Sequence, residues 1–516
     1  LFRILIKSVF ERYFSKTNSY RLISALVYGS DANAIAVANA LKSEIPSRFK
    51  LVGFISPKSK GLSKTILDLP LIQKNKRIPV LMRSYGAQAL ILADNQMSAE
   101  DKRILVDDCL DNGYKVFTVP LITDWEDQKE ISRKVQNIRI EDLLERKPIV
   151  LDKRMIAKQI RNKCVLVTGA AGSIGSEIVR QVLAFQPDHI ILLDQAETPL
   201  HNLSLEIEHL NPDVTIHLVI QDVRNYAAME KVFQMYRPHK VYHAAAYKHV
   251  PLMEQHPDQA VLVNVMGTKN LADLSFHYQV EKFVMVSTDK AVNPSNVMGA
   301  SKRIAEKYVQ SLYFGQQEIV SDVSTKFITT RFGNVLGSNG SVVPLFTKQI
   351  ESGGPVTITH PDIIRYFMTI PEACQLVLEA GAMGKGGEIY LFDMGKPVRI
   401  IDLAKKMIRM AGFVPEKDIA ISITGLRPGE KLYEELLNNA SQTMPTHHEK
   451  ITIAQEPMVD YNRIPSMVEQ LIQKAQTDSH TNIVRYMKEM VPEFISNNSE
   501  YEDLDAEDSI VAPTSA

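Results

Sequence analysis

The chain of 516 residues is poor in cysteine. Cys109, Cys164 and Cys374 are scattered without any metal-ligand spacing, so they read as buried thiols in a reducing compartment, and no metal site is expected. It lacks an excess of either charge: 59 Lys and Arg stand against 60 Asp and Glu, for a net charge of −1. With no basic run and no interleaving of basic and aromatic residues, nucleic acid is not expected as a partner. No stretch approaches ~18 consecutive apolar residues, so no transmembrane helix is expected within the chain. Internal repeats and low-complexity tracts are absent before the C-terminal end. What remains, 45% hydrophobic and 23% charged residues, is the composition of ordinary globular domains. The length suggests about three of them.

Against these absences stands a repeated alternation of strand and helix patterns. Cys164-Val-Leu-Val-Thr-Gly-Ala-Ala-Gly-Ser-Ile-Gly-Ser-Glu177 is a strand, a glycine-rich turn and a helix start. Gly169, Gly172 and Gly175, with Ser173 and Ile174 between the last two, let backbone N–H groups approach a pyrophosphate at a helix N-terminus. A second strand, His189-Ile-Ile-Leu-Leu-Asp194, ends in an acid nineteen positions after Gly175, near the ~20 expected of a carboxylate that grips an adenosine ribose. Such an acid favours the free 2′-hydroxyl of NAD over the 2′-phosphate of NADP, although a plain strand-end turn residue would look the same. His217-Leu-Val-Ile leads to Asp222 and Val223, and Lys240-Val-Tyr-His leads to Ala244, Ala245 and Ala246. The small side chains at that last strand end leave room for a cofactor. The alternation implies an α/β fold, a doubly wound parallel sheet of the Rossmann kind.

A fourth apolar run, Phe283-Val-Met-Val286, opens into Ser287-Thr-Asp-Lys-Ala-Val-Asn-Pro-Ser-Asn-Val-Met-Gly-Ala-Ser-Lys302. Reactive side chains at the carboxyl end of a parallel strand sit where such sheets bind ligands. Thr288, Asp289 and Lys290 supply a hydroxyl, an acid and an amine in succession. Met298 and Lys302, four apart, share a face of the next helix.

These segments resemble the extended short-chain dehydrogenase/reductases, and more narrowly the long, membrane-associated nucleotide-sugar 4,6-dehydratases of bacterial polysaccharide and glycan biosynthesis. The resemblance is carried by TGAAGSIGSE from Thr168, HAAAYKHVPLMEQHP from His243, NVMGTKN from Asn264, STDKAVNPSNVMGASKR from Ser287, RFGNVLGSNGSVVPLF from Arg331, HPDIIRYFMTIPEA from His360 and GLRPGEKLYEELL from Gly425. Most of the superfamily has Tyr where Met298 stands, and the Met is a mark of the long-form branch, which retains configuration at C5. The resemblance implies UDP-N-acetylglucosamine as substrate and NAD as cofactor. It places Lys302 on the nicotinamide ribose, and Lys248, Asn334, Ser341, Arg365, Arg427 and Glu430 around the UDP moiety. The chemistry it implies needs an acid for the C6 oxygen, for which Asp289 is suited if burial or a neighbour keeps it protonated. It also needs a base for the C5 proton. Lys290 qualifies if desolvation and the cationic Lys302 pull its pKa down. Thr288 is placed to hydrogen-bond the C4 oxygen. A 4-epimerase, a C5-inverting dehydratase and a non-catalytic nucleotide-sugar sensor are the competing readings. The Asp289-Lys290 pair and the missing phenol argue against the epimerase, and the intact Asp289, Lys290 and Lys302 against the sensor.

The expected organisation is a first segment 1–19, a Rossmann-like unit 20–137, a linker 138–163, a catalytic domain 164–495 and an acidic, disordered tail 496–516. The opening segment mixes large apolar residues with Arg3, Lys7 and Arg12; a helix lying on a membrane and a helix docking on a domain share that pattern. The first residue is Leu, and in the resembled family transmembrane helices precede this point, so a juxtamembrane segment on the cytoplasmic face of the bacterial inner membrane is expected. Gly29-Ser-Asp-Ala-Asn33 lacks a full glycine fingerprint, which makes a degenerate scaffolding or regulatory role the expectation for the first unit, with a bound nucleotide as the alternative. A dimer, paired through two helices into a four-helix contact, is the default oligomer.

Overall fold

The computed structural model describes residues 22–505 except 45, 58–64, 95, 120–134, 139, 141–148, 150, 209, 211–212, 318–324, 435–442 and 457–461. The opening segment 1–19, much of the linker and the chain beyond 505 thus lie outside the described residues. Two compact units are present, 1–147 with 404–420, and 148–403 with 421–516.

In the first unit a seven-stranded sheet has at its centre Phe49–Ser56, Ile23–Tyr28, Ala89–Leu92 and Lys115–Thr118, all parallel. Asp31 caps the helix Ala32–Ser43 by accepting the Ala34 N–H. Lys406 joins this unit through an ion pair of 2.8 Å with Asp107, so one stretch of the expected 164–495 domain is grouped elsewhere.

The second unit begins earlier than the expected boundary at 164. Helix α1 (Lys153–Ile160), capped by Asp152, buries Ile156 and Ile160 in its core. Then follow β1 (Cys164–Thr168), α2 (Ser173–Leu183), β2 (His189–Asp194), β3 (Thr215–Ile220), β4 (Lys240–His243), α3 (Gly267–His277), β5 (Lys282–Thr288), α4 (Val297–Gln317), β6 (Lys326–Phe332), α5 (Ile370–Met383), β7 (Ile389–Phe392), β8 (Thr443–Pro445), β9 (Ile451–Ala454), α6 (Ile464–Thr477) and α7 (His480–Met490). The sheet order is β3-β2-β1-β4-β5-β6-β7-β9-β8. The first seven strands are parallel, and β9 and β8 add antiparallel pairs at one edge. Strand residues alternate between two cores. Leu166, Phe283 and Met285 face α3, α4, α6 and α7, while Val165, Val167 and Val284 face α1, α2 and α5. Both faces are covered, which is why the strands read as continuous apolar runs. Helices α6 and α7 lie on α4 within the same chain.

The expectation of a disordered tail from Ser496 is corrected for its first part. Tyr501 and Leu504 are buried in the core formed with α4 and α6. Asp505 accepts from both the Lys488 ammonium and the Ser496 N–H. Two apolar anchors and a buried cation outweigh the acidic composition.

Candidate active site

The carboxyl ends of β1, β4, β5 and β6 open into a cleft of about 930 Å³. At one end lies the glycine turn. Gly169 has φ +65, and a Cβ there would stand 2.6 Å from the Ala245 nitrogen; one on Gly175 would stand 2.0 Å from the Gly169 oxygen. Only glycine permits that closeness. Gly172 precedes the first turn of α2, so Ser173, Ile174 and Gly175 present a helix N-terminus to the cleft. Asp194 ends β2, and its carboxylate accepts from Ala171 N–H and from Ala196 N–H, both at 2.9 Å. It therefore braces the glycine turn. Asp222 is paired with Arg224 at 2.6 Å, and Val223 is buried against the start of α3. Ala244 lines the cleft, while Ala245 supplies the backbone that Gly169 touches. The turn and helix start fit a dinucleotide pyrophosphate, because the space that side chains would fill is left to backbone N–H groups.

Behind this wall runs a chain of buried hydrogen bonds. His243 bridges the hydroxyls of Thr168 and Thr268 at 2.8 and 2.9 Å, and burial, then Lys302, lowers its pKa to about 3. Asn264, in a π-helical turn at Val261–Met266, holds the Tyr247 backbone on both its N–H and its carbonyl and donates to Ser301. Such wide turns are frequent at functional sites. Met298 and Lys302 both face the cleft from α4. Burial lowers the Lys302 amine to about 8 against the pull of Glu306.

The next turn places Thr288, Asp289 and Lys290 together. The Thr288 hydroxyl donates to Asp289 Oδ1 at 2.9 Å, and Lys290 Nζ lies 3.1 Å from the same oxygen. Lys290 also reaches Glu434 Oε1 at 3.3 Å and Asn334 Oδ1 at 3.4 Å. Burial raises the Asp289 pKa, opposed by Lys290 and reinforced by Glu434. For Lys290 the expectation is corrected. Burial alone would lower it, but the Asp289 and Glu434 carboxylates outweigh burial and hold its pKa above the ordinary value. The cation that opposes the two carboxylates is Arg365.

Lys248, lowered by burial, donates to the Asn339 carbonyl at 2.7 Å, and the Asn339 N–H donates to Ser173 Oγ at the glycine turn. Ser341 begins the helix Val342–Glu351, and its Oγ is buried in the cleft wall without a hydrogen-bond partner among the described residues. A hydroxyl at a helix N-terminus with no protein partner suits a phosphate oxygen. Arg365 spends its guanidinium on the carbonyls of Ile364, Lys431 and Leu432 and on Glu430, so it shapes the 430–434 loop. Arg427 stays largely exposed beside Glu430. Glu434 was not singled out in the sequence. It lies inside the GLRPGEKLYEELL segment, where nothing distinguishes it from the neighbouring glutamates, and only the chain's return to Lys290 marks it. His249, which lines the cleft beside Gly340, was missed likewise.

The model of a family described as polysaccharide biosynthesis protein matches residues 165–456. The capsular polysaccharide biosynthesis protein CapD of Staphylococcus aureus is 43% identical over 445 residues, 86% of this chain and 73% of that protein. The probable polysaccharide biosynthesis protein EpsC of Bacillus subtilis (strain 168) is 43% identical over 430 residues, 82% of this chain and 70% of that one. Among solved structures, Pen from Bacillus thuringiensis is similar with a TM-score of 0.53 at 33% identity, covering 58% of this chain and 91% of its own.

Proposed function

We propose that this chain, which belongs to the polysaccharide biosynthesis protein family, is an NAD-dependent dehydratase that converts UDP-N-acetylglucosamine to a UDP-4-keto-6-deoxy-N-acetylhexosamine with retention at C5. The observation that carries the reading is the partly buried Thr288-Asp289-Lys290 group: Thr288 and Lys290 line the same cleft as Lys302, and both are hydrogen-bonded to the Asp289 carboxylate behind them. An epimerase has no use for that pair of acid and amine. A dinucleotide with its pyrophosphate along the glycine turn would supply reversible hydride acceptance, from C4 and back to C6.

The chain's own residues handle the protons. The C4 hydroxyl proton passes through Thr288 to Asp289, to which Thr288 is already hydrogen-bonded. A raised Asp289 pKa suits a group that must take this proton and release it to the departing C6 oxygen as water forms. Lys290 removes the C5 proton, acidified by the new C4 ketone, and returns it from the same face, which retains configuration. Lys302 holds the nicotinamide ribose. Ser341, Asn334, Lys248, Arg427 and Glu430 line the cleft in which the UDP would lie. Attachment to a membrane through segments upstream belongs to this reading as a further proposal; among the described residues no helix is long and apolar enough to cross one.

The deciding experiment is incubation of purified protein with UDP-N-acetylglucosamine and identification of the product by mass spectrometry and NMR. A 4-keto-6-deoxy sugar supports the reading. A C4 epimer, or unchanged substrate with the protein folded, overturns it.

A further inference from the structure

Lys290 presents a difficulty that its own turn does not resolve. A base for C5 must be neutral when it acts, yet the amine sits between two carboxylates, Asp289 at 3.1 Å and Glu434 at 3.3 Å. Only one of these has a part in the sequence of steps above. Glu434 arrives from a different part of the chain, is buried, and lines the cleft. Arg365 Nε stands 3.6 Å from the same Oε1, and Arg365 is itself locked by the 430–432 backbone. The charged groups facing Glu434 are thus Lys290 and, beyond it, Asp289 from the β5 turn, Arg365 from the strand Ile364–Met368, and Lys431 on its own segment. An ionised carboxylate fixed by an arginine and touching the catalytic amine is more than a loop anchor.

We propose that Glu434 is the positioning residue and proton store of Lys290: it accepts the ammonium proton before the C5 step and returns it afterwards. The inference rests on the dehydratase reading. Its protons balance. At rest Asp289 and Glu434 are carboxylates and Lys290 is ammonium. Oxidation at C4 delivers one proton to Asp289. With Asp289 neutralised, one of the two carboxylates that hold the Lys290 proton is lost, and transfer across the 3.3 Å contact then leaves Lys290 neutral and Glu434 protonated. Elimination breaks the C5–H and C6–O bonds, gives the C5 proton to Lys290 and the Asp289 proton to the leaving hydroxyl, and releases water. Lys290 then returns its proton to C5 and recovers one from Glu434, restoring the starting state. Burial works against the charge of Glu434, while Lys290 and Arg365 keep its pKa below the ordinary carboxylate value. It is therefore ionised and ready at neutral pH.

The test compares wild type, Glu434→Gln, Glu434→Asp and Lys290→Ala with UDP-N-acetylglucosamine across a pH series, with unmodified and C4-deuterated substrate. Glu434→Gln should lower kcat at neutral pH on the order of a hundredfold with KM little changed. Its kcat should climb with pH, because Lys290 must now lose its proton to solvent, whereas wild type stays level over the same range. The isotope effect of C4 deuterium should fade in this variant as elimination becomes limiting. Glu434→Asp, which keeps a carboxylate, should recover part of the rate and the level profile. A Glu434→Gln variant with the wild-type pH profile, or one that changes KM alone, overturns the role of Glu434 without touching the dehydratase reading. Near-normal turnover by Lys290→Ala overturns the base assignment and the store with it. Wild-type protein that leaves the substrate unconverted overturns the functional reading itself.

Discussion

Glu254 and Ser499 are joined by a short hydrogen bond, the Ser499 hydroxyl donating to Glu254 Oε2 at 2.5 Å, while Glu254 Oε1 accepts the Val297 N–H at 2.7 Å. One buried carboxylate thus connects the last described stretch of the chain to the first turn of the helix that carries Met298 and Lys302. The same stretch donates from Ile495 N–H and Asn497 N–H to the carbonyls of Pro294 and Ser295, and it accepts the Gly429 N–H at the Asn497 carbonyl. The loop before α4 and the loop that bears Arg427 and Glu430 are therefore held by one strap.

Ending the chain before Ile495 should accordingly cost stability and activity together. Tyr501 and Leu504 are 2% and 5% exposed, and fully buried apolar side chains contribute about 1.5–3 kcal/mol each. Glu254→Ala leaves the Val297 N–H and the Ser499 hydroxyl without their partner, at roughly 1–3 kcal/mol. Glu254→Gln keeps an acceptor for Val297 and should be milder. Denaturant unfolding of the three variants checks this. A truncated chain as stable as the full one would mean that the strap only rests on the surface.

That strap was hidden by composition. Acidic residues dominate from Glu500 onward, and the two anchors Tyr501 and Leu504 are too few to form a pattern that can be read along the chain. By contrast the parallel strands were legible, because a strand covered on both faces is an unbroken apolar run, as at residues 164–167 and 283–286. The glycine turn and the Thr288-Asp289-Lys290 triplet were legible because each is contiguous. The protonation of Lys290 was not. It depends on Glu434, which reaches it only through the return of the loop after Gly425, and no local spacing encodes that approach.

Asp194 bears on cofactor choice. It braces the glycine turn through the Ala171 N–H and sits at the strand end where an adenosine ribose is gripped, so a 2′-phosphate would meet its charge. Protein purified and then denatured should release NAD. Recovery of mostly NADP would remove Asp194 from the cofactor site and leave it only its role in the turn.

Lys302 links stability to pH. Burial depresses its folded pKa to about 8, so the charged amine destabilises the fold at neutral pH. At ~1.4 kcal/mol per pH unit between the folded value and the unfolded one near ~10.4, that cost is roughly 3 kcal/mol. With the folded pKa below the unfolded one, the unfolded chain binds more protons between the two values, and stability rises as pH climbs from about 8 towards ~10.4. Lys302→Met should abolish turnover while stabilising the nucleotide-free protein at neutral pH, and the gain should vanish above ~10.4. Unfolding curves of both proteins at neutral and alkaline pH decide it. A Met variant that is less stable at neutral pH would show that the amine is paid for by contacts outweighing its burial.

Met298 cannot donate or accept a proton at neutral pH, so in the proposed dehydration the group that takes the C4 proton must be another. Thr288 is the candidate, since its hydroxyl already donates to Asp289 at 2.9 Å. Met298 is buried in the core of α4, 4% exposed. Met298→Leu conserves volume there, and such exchanges cost below ~1.5 kcal/mol, so most of the turnover should persist. Thr288→Val removes the hydroxyl at nearly constant shape and interrupts the path to Asp289. It should slow the oxidation step, lowering kcat on the order of a hundredfold and enlarging the isotope effect of C4-deuterated substrate. Asp289→Asn removes both the acceptor of the C4 proton and the donor to the leaving hydroxyl, so it should lower kcat at least as strongly. If Met298→Leu were inactive while Thr288→Val turned over normally, the sulfur would have to act directly on the sugar, and the path from C4 through Thr288 to Asp289 would be wrong.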